Sequence, residues 1–419
     1  MTSEPVLVVW EHGGNLGHLA RLLPILHALQ ARGHSVVFAV ACPQAVEVLV
    51  ANTGIKVVQA PQAAIQVASG VSAVCPADIW LRCGFANPMH AKICVTDWLA
   101  LFKRLNPAAV LVDASPMALY AAQVAGIRVL AIGHGFELPP PQPGLSFAPW
   151  QSDLAGAVTH SEQVLKSALH ALEASSTPDS ALRQATSVGA LLRLTSQALC
   201  TWPELDHFER DLEVANFLGP IWHRLPGAQS LAWPDKPGAK VLCYIEVTDK
   251  RYDLLWQALV RHSANVLVLS PSGNNRACQA ARGWGITVCQ QPVILENLLP
   301  QCDAVIGHGG MGLTSMALHA GKPLMVLPTQ LEQGLLAYRL VKKGFAVSTM
   351  SRFDKLQIQS RVAQLLEDTA LKDSAKRLST RYADFLPQRT VDLVLSKLLG
   401  GATSGLSKNN KEHTLCRTL

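Results

Sequence analysis

The chain has 419 residues, 49% of them hydrophobic and 16% charged, with a formal net charge of +6. That composition excludes a disordered chain, and the length exceeds one core and suits two domains. The small positive excess fits an anionic ligand or a membrane surface as well as an ordinary protein surface, and no nucleic-acid partner is expected.

Ten cysteines are scattered without a Cys-x-x-Cys pair, and several, such as Cys42, Cys243 and Cys289, lie in apolar runs. Reduced, mostly buried thiols are expected, with neither a disulfide framework nor a zinc site. PVLVVW (5–10) has no basic region before it and is too short for a secretory signal. No apolar stretch is long enough to cross a bilayer. These features predict a cytoplasmic protein, with peripheral contact at the inner membrane face left open.

In chain order, VLVVW (6–10) reads as a buried strand, and HLARLLPILHALQARGH (18–34) has helical apolar spacing ended by Gly33. SVVFAVA (35–41) and KVVQA (56–60) are strands, followed by AAVLVDA (108–114), the helix MALYAAQVAG (117–126) and the strand VLAIG (129–133). Alternating βα units with fully apolar strands predict a parallel sheet covered on both faces. The same grammar restarts at KVLCYIEV (240–247), NVLVLS (265–270), ITVCQ (286–290), AVIG (304–307) and PLMVLP (323–328). Between the halves, the stretch 219–238 is rich in Pro, Gly and Trp and reads as a linker.

The expected fold is α/β, with two doubly wound Rossmann-like domains facing across a cleft. The N-terminal domain spans 1–222, the linker 223–237 and the C-terminal domain 238–380. A helix follows at 381–400, packing back on the first domain, and a disordered tail at 401–419. Ligands of such sheets bind at the carboxyl ends of the strands. Residues 61–100 and 134–150 interrupt the alternation after strands of the first domain. They are read either as walls of an acceptor pocket or as loops covering the core.

VIGHGGMGLTSMALHAGKP (305–323) sets glycines at a strand-to-helix junction, where free N–H groups and the positive helix end can seat a phosphate. The longer string HGGMGLTSMALHAGKPLMVLPTQLEQ (308–333) is far more specific. It resembles the donor-binding signature of GT-B glycosyltransferases, the family of UDP-sugar and antibiotic macrolide glycosyltransferases. The shared frame is His-Gly-Gly-x-Gly, then Ala-Leu-x-x-Gly-x-Pro (317–323), then Pro328 and Glu332-Gln333. The resemblance implies that His308, Gly309, Gly310, Gly312 and Thr314 surround a nucleotide diphosphate. It also implies that Glu332 and Gln333 bond the sugar hydroxyls.

In the first domain HGGNLGHL (12–19) follows the first strand, with His18 at the helix start. VLVDASP places Asp113 after a later strand. The resemblance makes His18 the base that deprotonates the acceptor and Asp113 its orienter. Imidazole titrates near neutrality, and a buried carboxylate fixes its tautomer. The bland alternative is a helix-capping His18 and an Asp113 bonded to backbone amides. Gly14, Asn15 and His134 are acceptor-side candidates. The implied activity is inverting, metal-independent hexosyl transfer from a nucleotide-diphosphate sugar to a hydroxyl of a small, hydrophobic or lipid-like acceptor. The donor is a co-substrate, and no cofactor or metal is expected. A donor-decayed scaffold of the same fold and a sugar-nucleotide epimerase are the alternatives.

Several positions depart from the family. Met316 stands where a glutamate grips the ribose, Leu313 replaces a Ser or Thr, QQPV (290–293) lacks the Trp and the final Gln of its motif, and EVTD (246–249) replaces a Gly-Ser. Helical spacing from Gly312 predicts that Met316 faces the ligand, so that Met316→Glu would tighten nucleotide binding.

Overall fold

The computed structural model describes residues 4–400 apart from 13–15, 63–72, 174–179, 214, 225–226, 248–251, 272 and 350–353. Gly14, Asn15 and the tail 401–419 lie outside the described residues.

Two six-stranded parallel sheets organise the chain. The first contains β1 (Val6–Trp10), β2 (Val36–Val40), β3 (Lys56–Gln59), β4 (Ala109–Asp113), β5 (Val129–Gly133) and β6 (Ser196–Leu199), in the order β3-β2-β1-β4-β5-β6. The second contains β7 (Lys240–Tyr244), β8 (Asn265–Leu269), β9 (Thr287–Cys289), β10 (Ala304–Gly307), β11 (Leu324–Val326) and β12 (Ala346–Ser348), in the order β12-β11-β10-β7-β8-β9. Each is the doubly wound order, and the direction of winding reverses between β1 and β4 and again between β7 and β10.

Strand composition explains this burial. Along β1, Leu7 and Val9 enter one apolar layer while Val6 and Val8 enter the other. With period-2 alternation, only a sheet covered on both faces can bury every residue of VLVVW. In the second sheet Leu242 and Val305 face one layer, and Val241, Cys243 and Ile306 the other.

The helix Pro387–Leu399 returns to the first sheet. Val391, Val394, Leu395 and Leu398 join the layer of Val6, Val8 and Leu22, and Arg32 reaches Asp392 at 2.7 Å. A second tie runs from the segment after β6. Trp202 stacks on Tyr382 with ring centroids 4.2 Å apart, and the Tyr382 hydroxyl donates to Glu204 at 2.8 Å. Among its described residues, the stretch 219–238 forms no helix. It docks on the second domain where Gln229 N donates to Pro292 O at 2.9 Å.

Several elements differ from the sequence reading. Residues 88–105, which begin inside the stretch 61–100 read as interrupting the alternation and run past its end, form an 18-residue helix. Asn87 caps it by accepting from Met89 and His90 N–H, Pro88 opens it, and Ala91, Cys94, Val95, Trp98, Leu101 and Phe102 form its buried face. β6 and β12 were missed because SQAL and AVS are too short to show a period. Cys42, read as buried, is exposed at the start of a short helix.

Candidate active site

The reversal of winding in the first sheet places its chemistry. Asp113 ends β4 beside β1 and is fully buried. Ala114, the next residue, is left-handed at φ 45, a sharp turn that most residues avoid. Ser115 holds the turn by accepting from Glu11 N–H at 2.8 Å and donating to Asp113 O at 2.8 Å.

His18 lies in the first turn of the helix Leu16–Ala31, and its Nδ1 sits 2.9 Å from Asp113 Oδ1. Its ring stacks on Trp10 at 5.5 Å. The pair expected from sequence is therefore brought together in space. Sequence reasoning missed a third member, Arg21, one turn along the same helix. Arg21 donates from Nε to Asp113 Oδ2 at 3.1 Å and from a terminal nitrogen to Oδ1 at 2.5 Å. The i, i+3 spacing from His18 was the available signal. Arg21 also reaches Glu137 at 3.4 Å, and Glu137 Oε2 lies 2.7 Å from His134 Nδ1.

The charges follow from these contacts. Burial works against a charged His18, but the Asp113 carboxylate outweighs it and raises the imidazole above its ordinary 6.5, with Arg21 pulling the other way. Burial would raise Asp113, yet Arg21 and His18 overcome it and hold the carboxyl low. Glu137, likewise buried, is held well below its usual range by His134 and Arg21. His12, on the same rim, is pushed down to about 4 by burial and by neighbouring His18, so it stays neutral and a poor proton acceptor. Of the two, His18 is the imidazole poised to take a proton near neutrality.

In the second sheet the corresponding reversal carries β10 into the helix Met311–His319. Gly309 has φ +95, and a Cβ there would lie 2.8 Å from Val326 Cγ1, so the turn demands glycine. Gly310 is the N-cap and has no side chain, which leaves the first N–H groups of the helix open. Gly310, Met311 and Gly312 line the central cavity, as do Glu332 and Gln333.

Three donor-side residues sit differently from the sequence reading. His308 Nδ1 donates to Leu327 O at 2.9 Å and its Nε2 accepts from Glu246 N–H at 3.2 Å. Both ring nitrogens are occupied by backbone, which makes His308 a neutral brace of the turn. Thr314 is 2% exposed and lies away from the cavity lining. Met316 is 9% exposed and packs in the apolar layer with Leu242, Val305 and Leu336, so it does not face a ligand as its spacing suggested. Met316→Glu is therefore expected to destabilise the fold instead of tightening nucleotide binding. An unpaired carboxylate there costs on the order of several kcal/mol, which a lowered thermal unfolding midpoint would report. An unchanged midpoint with tighter nucleotide binding would restore the ligand-facing assignment.

Glu332 and Gln333 lie in the first turn of the helix Leu331–Lys342. Gln333 Oε1 accepts from Thr329 N–H at 2.9 Å, which orients the amide. Glu332 Oε1 lies 3.1 Å from His207 Nε2 and 3.8 Å from His134 Nε2. His207 was not singled out in the sequence, where it stands in the irregular run after β6.

His18, Arg21, His134 and Glu137 border the same cavity as the glycine turn and the Glu332-Gln333 pair. Its volume is about 420 Å³, within the range of small-molecule sites. Pro76, Ile79, Trp80, Phe136 and Phe147 make its first-domain wall apolar. The two stretches that interrupt the alternation thus both contribute to the wall.

Known proteins share this fold. Residues 271–395 match the family described as erythromycin biosynthesis protein CIII-like, C-terminal domain. The NDP-glycosyltransferase YjiC of Bacillus subtilis is 29% identical over 116 residues, which cover 24% of this chain and 30% of that protein. A sterol 3-beta-glucosyltransferase of Vanderwaltozyma polyspora is 26% identical over 119 residues, 28% of this chain and 10% of that protein. The matches therefore span less than a third of either relative. Among solved structures, the glycosyltransferase VinC in complex with dTDP superposes with a TM-score of 0.65 at 17% identity, over 95% of this chain and 100% of VinC. The spinosyn rhamnosyltransferase SpnG complexed with spinosyn aglycone gives 0.59 at 18% identity, over 94% and 99%. The chain has the two-domain GT-B fold, and residues 271–395 of its second domain match the EryCIII-like C-terminal domain family.

Proposed function

We propose that the protein transfers a sugar from a nucleotide-diphosphate donor to a hydroxyl of a small hydrophobic acceptor. The observation that carries this reading is that His18, backed by the buried Asp113, and an open helix N-terminus, one from each domain, border one cavity. The acceptor hydroxyl gives its proton to His18 Nε2, whose Nδ1 is directed at Asp113. The freed oxygen attacks the anomeric carbon from the face opposite the leaving diphosphate, with inversion. The departing charge falls on the N–H groups at Gly310–Gly312 and the positive end of that helix. Gln333 offers its amide to the sugar hydroxyls. The apolar first-domain wall favours an acceptor with a large hydrophobic face.

The relatives support this reading by what they bind: dTDP in VinC, and an aglycone in SpnG. Calorimetry with a panel of nucleotide diphosphates is the test of the donor side. Saturable binding of at least one, with Kd in the micromolar to millimolar range of about −8 to −4 kcal/mol, is expected. Absence of binding by any member to the folded protein would overturn the transferase reading in favour of a scaffold.

A further inference from the structure

The geometry points to a divalent transition-metal site at the junction of the two domains, formed by His134 Nε2, His207 Nε2 and Glu332 Oε1, and we propose that an ion of the zinc or cobalt class binds there. The site takes Glu332, to which the resemblance gives a sugar-hydroxyl contact, as a metal ligand instead, and no step of the transfer chemistry passes through it.

Two imidazoles aim at one carboxylate oxygen, at 3.1 and 3.8 Å, and the three donor atoms all lie within 4.8 Å of one another. A tetrahedral zinc ion with bonds of about 2.0–2.2 Å needs its ligand atoms roughly 3.3 Å apart, between the two measured separations. A simple ion pair explains less. One imidazole N–H donating to Glu332 satisfies His207, but leaves His134 Nε2 facing the same oxygen beyond hydrogen-bonding range.

The surroundings hold both histidines in place. Glu137 Oε2 lies 2.7 Å from His134 Nδ1, without the alignment of a hydrogen bond, and accepts from His134 N–H at 3.0 Å, while His134 Nε2 lies toward Glu332. The His134 and His207 rings lie side by side, with centroids 4.9 Å apart and planes 20° from parallel. His207 is fully buried, and its Nδ1 has no hydrogen-bond partner among the described residues. Its backbone carbonyl accepts from Arg339 Nε at 3.0 Å, which fixes the residue against the second domain. Three protein ligands leave a fourth position, and His134 and Glu332 both line the central cavity, so water or an anionic ligand group reaches it from there. Because Glu332 comes from the second domain and the histidines from the first, the ion ties the two together.

Cobalt(II) titrated into chelator-stripped, full-length protein tests the site, read by calorimetry and by visible absorption. The expected result is one ion per chain, with a nitrogen and oxygen ligand spectrum free of thiolate-to-cobalt charge-transfer bands. His207→Gln and Glu332→Gln should each weaken binding by about a hundredfold or more, and Glu137→Gln by about 10- to 100-fold through His134. Glu332 is a partly exposed helix residue, so its isosteric variant keeps the test valid if a histidine variant fails to fold. Undetectable cobalt binding by the wild type, a thiolate spectrum, or unchanged affinity in Glu332→Gln would each overturn the proposal.

Discussion

His18→Ala is expected to lower sugar transfer by about 10²- to 10⁴-fold while leaving nucleotide-diphosphate affinity unchanged. The reason for the split lies in the two half-sites. His18 sits on the first-domain rim, and the phosphate seat belongs to the turn after β10 in the second domain. Removing the imidazole deletes the acceptor for the hydroxyl proton but none of the N–H groups offered to the diphosphate. The loss should therefore appear in kcat and not in calorimetric donor binding. His12, although beside it, cannot substitute, because burial and the neighbouring imidazole hold it near 4. A folded His18→Ala protein with wild-type turnover would remove His18 from the role of base.

Asp113→Asn is expected to act on stability and on rate together. Asp113 is fully buried and accepts from Arg21 and His18, so the substitution leaves the Arg21 guanidinium a neutral amide oxygen in its place and Glu137, at 3.4 Å, as its remaining carboxylate. Breaking a buried ion pair from one side costs about 3–5 kcal/mol, and the remaining Glu137 contact places the expectation near the lower end. The effect on rate comes from His18. In the wild type the carboxylate raises the imidazole above 6.5, so kcat/KM should fall as pH drops through a value above 6.5. Without the carboxylate, burial and the Arg21 charge push His18 down against the weaker opposing charge of Glu137, and that limb should move to lower pH. At neutral pH the rate should still fall by about 10²-fold, because an amide neither fixes the tautomer nor stabilises the imidazolium. Stability has its own pH dependence. Asp113 and Glu137 are both held below their usual range in the folded state, so the stability they supply is complete above that range. It is lost as pH falls through their folded values, and the acid sensitivity should be smaller in Asp113→Asn. An acid limb that stays in place in the variant would show that His18 does not depend on Asp113.

Much of this site was legible in the sequence because its parts sit at strand ends. VLVVW and VLVDASP read as buried strands from composition alone, and the residues that follow such strands in a doubly wound sheet face the ligand. That logic puts His18, Asp113 and the glycines at 309, 310 and 312 at the cleft, and the resemblance to GT-B glycosyltransferases supplied their roles. Arg21, Glu137 and His207 were not legible. The i, i+3 spacing puts Arg21 on the helix face of His18, but its importance lies in a contact with Asp113 across 92 positions, which no local period marks. Met316 failed for a different reason. Spacing on a helix fixes which residues share a face, but the rotation of that helix is set by packing, here against the layer of Leu242 and Val305. His308 shows a third limit. A histidine beside glycines looks like a ligand contact until its two ring nitrogens are found braced by Leu327 O and Glu246 N. The helix 88–105 was obscured because its buried face is interleaved with polar residues and Pro88 reads as a break instead of as a first helical position.

The most direct test of the central claim is the anomeric configuration of the first-formed product. Proton NMR of early reaction time points, with a nucleotide-diphosphate sugar that the protein binds and a panel of hydrophobic phenols and alcohols, reads that configuration before any equilibration. Direct attack by an oxygen activated at His18 predicts a glycoside inverted at the anomeric carbon relative to the donor. A glycoside with retained configuration would contradict the account.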